Sequence, residues 1–302
     1  MKLTVKASSP YDFRSVVFSH GWSDLLPFKV LNEQGKIRVT VRTKENAVVL
    51  QVSDFADGIQ VETDAKKLNS DTISTLRRMF RLDDDLSDFY QHVEINSRNW
   101  IVQRRMGRLL RSQTIFEDLV KLILTTNCSW SLTRVMTDSL SKYLGSGELG
   151  MRLFPTPEAI VSKPESFFRQ KIRAGYRSPH LPLLAKMVLE GKLIPESWED
   201  PSRPTEVVRK EILSVPGAGP YVADNLLKFL GRYDYLGLDS WARGKLKELW
   251  GMKKIPSDKT IERRYKIHRK YKGLVLWCDL TKDWFERNEF EAWIRRNQNE
   301  NH

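Results

Sequence analysis

Residues 214–246 read SVPGAGPYVADNLLKFLGRYDYLGLDSWARGKL. Asp239 follows the apolar Leu236 and Leu238 and lies twenty residues beyond Gly219. A carboxylate held in such a place can stabilise a developing positive charge, or orient and deprotonate a water. DSWARGKLKELW reads as a helix with Asp239 at or near its N-cap, so a purely capping role is the competing reading. Other chemistries find little support. Cys128 and Cys278 are the only cysteines and the five histidines are scattered, so neither a structural zinc nor a four-cysteine iron–sulfur cluster is expected. Two cysteines also suggest a reducing compartment without a disulfide framework.

The elements that must position Asp239 can be read outward from it. TEVVRKEILSV predicts a helix ending near Val215. The PGAG turn then forces a sharp reversal, because glycine permits positive φ and close backbone approach. A second helix starts near Pro220, where the missing N–H costs little. Such a helix-hairpin-helix can present backbone N–H groups and a helix N-terminus to a phosphate. It can also be a packing turn only.

Further upstream, FKVLNE and KIRVTVRT flank the turn signal Gln34–Gly35, and AVVLQVSD and IQVETD follow with apolar alternation. These predict an antiparallel meander. From about residue 71 the spacing turns helical, in ISTLRRMFRL, LSDFYQHV, FEDLVKLILTTN and SLTRVMTDSLSKYL. Pro155, Pro157, Pro179, Pro182, Pro195, Pro201 and Pro204 punctuate a run of short helices. Strands first and helices after give an α+β fold: a small N-terminal antiparallel sheet followed by a mostly helical body. The polar tail RRNQNENH is expected to fray.

The net charge of +12 and a pI near 9.6 point to a polyanionic partner, nucleic acid above all. The charge is uneven. Residues 97–112 carry five arginines and no acid, and residues 243–272 carry twelve Lys/Arg against three acids. Both segments are expected on the DNA-binding surface. There is no apolar run long enough to span a membrane and no secretion-signal stretch at the N-terminus, so an intracellular protein is expected, in cytoplasm and nucleoid or in a nucleus.

With the hairpin and Asp239 in place, the chain resembles the helix-hairpin-helix (HhH-GPD) DNA glycosylase superfamily. FRLDDDLSDFYQHV, GRLLRSQTIFEDLVKLILTTNCSW and IRAGYRSPHLPLLAKMV resemble segments of 8-oxoguanine DNA glycosylases. The strands resemble the small sheet domain shared with bacterial 3-methyladenine DNA glycosylase II. The resemblance covers about residues 10–285 and implies three segments: a sheet domain over 1–80, a glycosylase body over 81–290 and a polar tail over 291–302. Within the body the hairpin would occupy about 205–230 and the aspartate loop 231–240.

The resemblance also implies roles. Asp239 would be the catalytic carboxylate beside C1′ of a flipped nucleotide. Bifunctional members attack C1′ with a lysine two residues after the second hairpin glycine; here that residue is Tyr221, which cannot form a Schiff base. Tyr221 is instead expected to stack on an electron-poor base, packing being the alternative. Asn225, on the same helix face, would hydrogen-bond the base, and Trp277 would cover the pocket or serve as core. Asn127 would fill the gap left by the flipped base or cap the next helix. Tyr176 would wedge into the stack and Arg177 would contact the opposite strand, unless GYR is a plain turn. Gly217, Gly219 and Val222 would form the phosphate grip, with a monovalent cation (K⁺ or Na⁺) on the turn carbonyls. Lys228 reads as a surface or phosphate-contacting lysine, and His92 and His180 as structural.

The reading is a monofunctional, monomeric DNA N-glycosylase of base excision repair. It would act on duplex DNA with a damaged base, an alkylated purine favoured, and need no redox cofactor or metal for chemistry. The alternatives are a bifunctional 8-oxoguanine-type glycosylase/lyase using another lysine, and a lesion-binding protein that does not cut.

Overall fold

The computed structural model of the protein describes residues 1–32, 35–43, 46–148 and 150–286. Gln34 of the expected turn and the tail over 291–302 lie outside the described residues. The sheet has five antiparallel strands: β1 (Lys2–Lys6), β2 (Phe28–Val30), β3 (Ile37–Arg42), β4 (Ala47–Asp54) and β5 (Gly58–Glu62), in the order β1-β5-β4-β3-β2. The meander predicted from sequence is β2 to β5. The strand β1 was missed, and it pairs with β5 from Lys2↔Glu62 to Lys6↔Gly58. Alternation sets the buried face: Ile37, Val39 and Val41 of β3 oppose Val52, Leu50 and Val48 of β4, and all of these except the half-buried Val48 are fully buried.

The body is helical from Ser70–Met79 onward. At its centre runs Ile115–Thr125, capped by Thr114 and buried on every side from Ile115 to Leu124. Its three charged residues are buried because they are partnered: Lys121 Nζ donates to Glu117 at 2.6 Å, and Asp118 Oδ1 accepts from Trp22 Nε1 and the Ser112 N–H. The sheet's inner face and this helix share one hydrophobic cluster, which also takes in Val222, Ala223, Leu226 and Leu227 of the hairpin's second helix. A second cluster, built on Leu274, Val275, Leu276 and Cys278 of the C-terminal helix Lys272–Glu286, packs Leu246 and Leu236. The segment carrying Asp239 is therefore clamped between two cores.

The arginine-rich segment 97–112 is not the DNA surface expected of it. Arg108 is 1% exposed and donates to the carbonyls of Pro10, Ser8 and Asp84. Arg111 is buried against Glu199, Arg105 donates to Tyr11 O, and Arg98 forms a two-pronged bond to Asp279. The guanidiniums of Arg108 and Arg111 tie loops together from inside, since a buried cation needs such partners, whereas Arg98 is half-buried and Arg105 exposed. The segment 243–272 differs: Lys253, Lys254, Lys259, Arg263, Lys266, Arg269 and Lys270 are all exposed.

Candidate active site

The hairpin helices are Thr205–Leu213 and Pro220–Phe229. Gly217 takes φ +84, a left-handed conformation that glycine alone adopts freely, and it packs on His180. Gly219 does not need positive φ: its φ is −96, and a Cβ there would meet nothing within 4 Å. It is the N-cap of the second helix and has no capping side chain. The backbone N–H groups of Tyr221 and Val222, second and third in that helix, thus have no intrahelical partner. The Val222 side chain is fully buried, so only its backbone can meet a phosphate.

Asp239 caps the helix Ser240–Leu249, its Oδ1 accepting the Ala242 N–H at 2.7 Å. One carboxylate oxygen is engaged in the cap. Asp239 also lines a pocket of about 530 Å³, the size of a small-molecule site. Its walls are strongly aromatic and include Tyr221, Trp22, Trp130, Trp241, Trp277 and Phe229. Sequence reasoning singled out Tyr221 and Trp277 and missed the rest. Trp277 Nε1 donates to Ser19 O at 2.9 Å, and its ring packs against Trp241 and Trp284. Trp130 is held by a 2.8 Å bond from its Nε1 to Asp24.

Tyr221, Asn225 and Asp239 all line this pocket. Burial pushes the Tyr221 phenol up to about 12, offset in part by a bond from Thr125, so it is neutral at pH 7. Asn225 is not free to read a base. Its Nδ2 donates to Tyr221 O and Gly237 O, and its Oδ1 accepts from Lys228. It holds the loop before Asp239 instead. Gly237 in that loop takes φ +64, and a Cβ would come within 2.6 Å of Lys228 Nζ.

Lys228 is the main surprise. It is 3% exposed rather than on the surface, it lines the pocket, and its Nζ donates to Asn225 Oδ1 at 2.9 Å and Leu236 O at 2.6 Å. Burial lowers it to about 8, Asp224 and Asp239 partly opposing. His20, also in the wall, is lowered to about 3 by burial and by Lys121, so it is neutral.

The proposed wedge residues lie together. Asn127 is exposed with φ +46 and does not cap the next helix, which Ser129 does. The Tyr176 hydroxyl bonds Thr126 Oγ1 at 2.8 Å and accepts from Asn127 Nδ2 at 3.3 Å. Tyr176 is 52% exposed, whereas Arg177 is buried with its guanidinium on the carbonyls of Ile123, Thr126 and Ala174. Arg177 therefore does not reach outward as expected. It sits 4.4 Å from the centre of the Tyr176 ring and supports it. His92 bonds His268 at 3.0 Å and, like His180, does not line the pocket. No group of residues able to hold a metal ion occurs among the described residues, and none of their helices is long and apolar enough to cross a membrane.

The chain shares its fold, a five-stranded sheet followed by a helical body, with solved DNA glycosylases of the 8-oxoguanine and 3-methyladenine types. The chain is similar to the Clostridium acetobutylicum 8-oxoguanine glycosylase/lyase bound to DNA, with a TM-score of 0.72 at 18% identity over 95% of this chain and 98% of that one. It is also similar to the Archaeoglobus fulgidus 3-methyladenine DNA glycosylase, with a TM-score of 0.71 at 16% identity over 94% and 99%. By sequence it is 21% identical over 289 residues to a Bacillus subtilis protein named "Putative DNA-3-methyladenine glycosylase YfjP", covering 91% of this chain and 98% of that one. No family model matches the chain.

Proposed function

We propose that the protein is a monofunctional DNA N-glycosylase of base excision repair. The observation that carries this reading is Asp239 lining the aromatic pocket, in the loop that follows the hairpin, with Tyr221 where a Schiff-base lysine would stand. A base leaving the duplex would enter the pocket between aromatic walls. The C1′–N bond then breaks with its electron pair going to the base, and the sugar gains oxocarbenium character. Asp239 stabilises that charge and takes a proton from the water that adds to C1′. The net change places the water's hydroxyl on C1′; its proton ends on the released base where that base leaves as an anion, and in solvent where a cationic base leaves neutral.

The hairpin would hold a phosphate through the Tyr221 and Val222 N–H groups at a helix N-terminus. The turn offers backbone carbonyls suited to a monovalent cation, which would add positive charge there. Val215 O is one of them: it accepts from Ala218 N and keeps a second lone pair. Tyr176, whose hydroxyl accepts from Asn127, would enter the stack. The exposed cations of 243–272 would supply most of the salt-dependent affinity.

The names of the similar proteins support base excision on DNA. The test is single-turnover incubation with duplexes bearing alkylated, deaminated or oxidised bases, with and without alkali. Strand breaks only after alkali support the reading. Breaks without alkali mean a lyase, and no base release from any duplex means a binding protein.

A further inference from the structure

We infer that Lys228 is a specificity-determining residue of the base pocket: its buried ammonium selects neutral bases with an acceptor edge and disfavours bases that carry a positive charge. This rests on the glycosylase reading and reverses the alkylated-purine preference expected from the sequence. Lys228 and Asp239 are the two charged side chains among the described residues lining the pocket, since His20 is neutral. An ammonium has three donors. Asn225 Oδ1 and Leu236 O take two and fix the group against the wall. The remaining donor is left for the pocket's occupant.

The chemistry of departure sharpens this selection. A cationic alkylpurine leaves as a neutral molecule, because the electron pair of the C1′–N bond cancels its charge. A neutral purine leaves as an anion. An ammonium beside the base stabilises that anion as it forms, whereas beside a cationic base it costs binding energy, because like charges repel strongly in a poorly hydrated site. Aromatic walls suit both kinds of base, so the discrimination falls to Lys228.

The experiment compares wild type, Lys228→Met and Asp239→Asn in single-turnover excision of hypoxanthine and 8-oxoguanine, both neutral, and of 7-methylguanine and 3-methyladenine, both cationic in DNA. Lys228→Met keeps the stem and removes the charge. It is expected to slow release of a neutral base by about 10–100-fold more than release of a cationic base. An equal loss on both kinds overturns the role of Lys228 while the glycosylase reading stands. Release of no base by wild type overturns both.

The wild type's own pH profile guards against a variant that fails to fold. Release of a neutral base should fall as pH rises through about 8, where Lys228 loses its proton, with no such fall for a cationic base. Parallel profiles, or wild-type preference for the cationic bases, also overturn it.

Discussion

Replacing Asp239 by asparagine and by alanine separates two roles that the structure gives to one side chain. Its Oδ1 caps a helix at 2.7 Å while the residue lines the pocket. Asparagine caps about as well as aspartate, whereas alanine loses about 0.5–2 kcal/mol. Asp239→Asn should therefore melt near wild type, and Asp239→Ala lower, by on the order of 2 °C per kcal/mol in a chain of this size. Catalysis should follow the other pattern. Both variants remove the anion beside C1′, so both should lose about 10²–10⁴ in excision rate, roughly 2.7–5.4 kcal/mol of transition-state stabilisation. DNA affinity should stay within several-fold. The assay is single-turnover excision read as alkali-labile strand breaks on the best lesion, beside thermal melting of each variant. If Asp239→Asn excises at near wild-type rate while Asp239→Ala is slow and unstable, the residue is a cap and the mechanism is wrong.

Gly219→Ala should leave stability within about 0.5 kcal/mol, since its φ is negative and a Cβ meets nothing, yet weaken binding to damaged and undamaged duplexes alike; equal affinity in a salt titration would make the hairpin a packing turn. Gly217→Ala, at φ +84, should by contrast cost about 1–2 kcal/mol in the fold itself, read by urea unfolding. Borohydride should trap no protein–DNA adduct during turnover, because Tyr221 stands in the lysine position; a trapped species lost in Lys228→Met would reverse that assignment. Acid should destabilise the protein through His20. Its folded pKa of about 3 lies below the unfolded 6.5, so the unfolded chain binds the extra proton and stability falls as pH drops below 6.5. Between pH 7.5 and 5 this amounts to about 2 kcal/mol, and His20→Gln should flatten the slope; an unchanged slope would mean that His20 protonates in place.

What the sequence made legible is local. The hairpin, the helix after it and the cap at Asp239 are set by residues within a few positions of one another, as turn glycines and cap residues always are. The meander was readable because its alternation and short loops are local too, while β1 was missed because five residues at a terminus show no pairing partner until residue 58 is beside them. The arginine run at 97–112 misled for the opposite reason. Charge in a sequence reads as surface, but Arg108 finds carbonyls about a hundred residues away, at Ser8 and Pro10, which no spacing rule reveals. Lys228 lies between these cases. Tyr221, Asn225 and Lys228 fall at i, i+4 and i+7, a spacing that puts all three on one face of the helix. Once Tyr221 is assigned to a base pocket, that face is the pocket wall, and a lysine two turns along it must be buried in the same wall. A buried lysine needs acceptors, and the loop that returns through Leu236 and Gly237 to Asp239 is the segment placed to supply them. The feature that distinguishes this pocket was thus implicit in the periodicity of one helix, and it was hidden by the habit of reading lysine as solvent-facing.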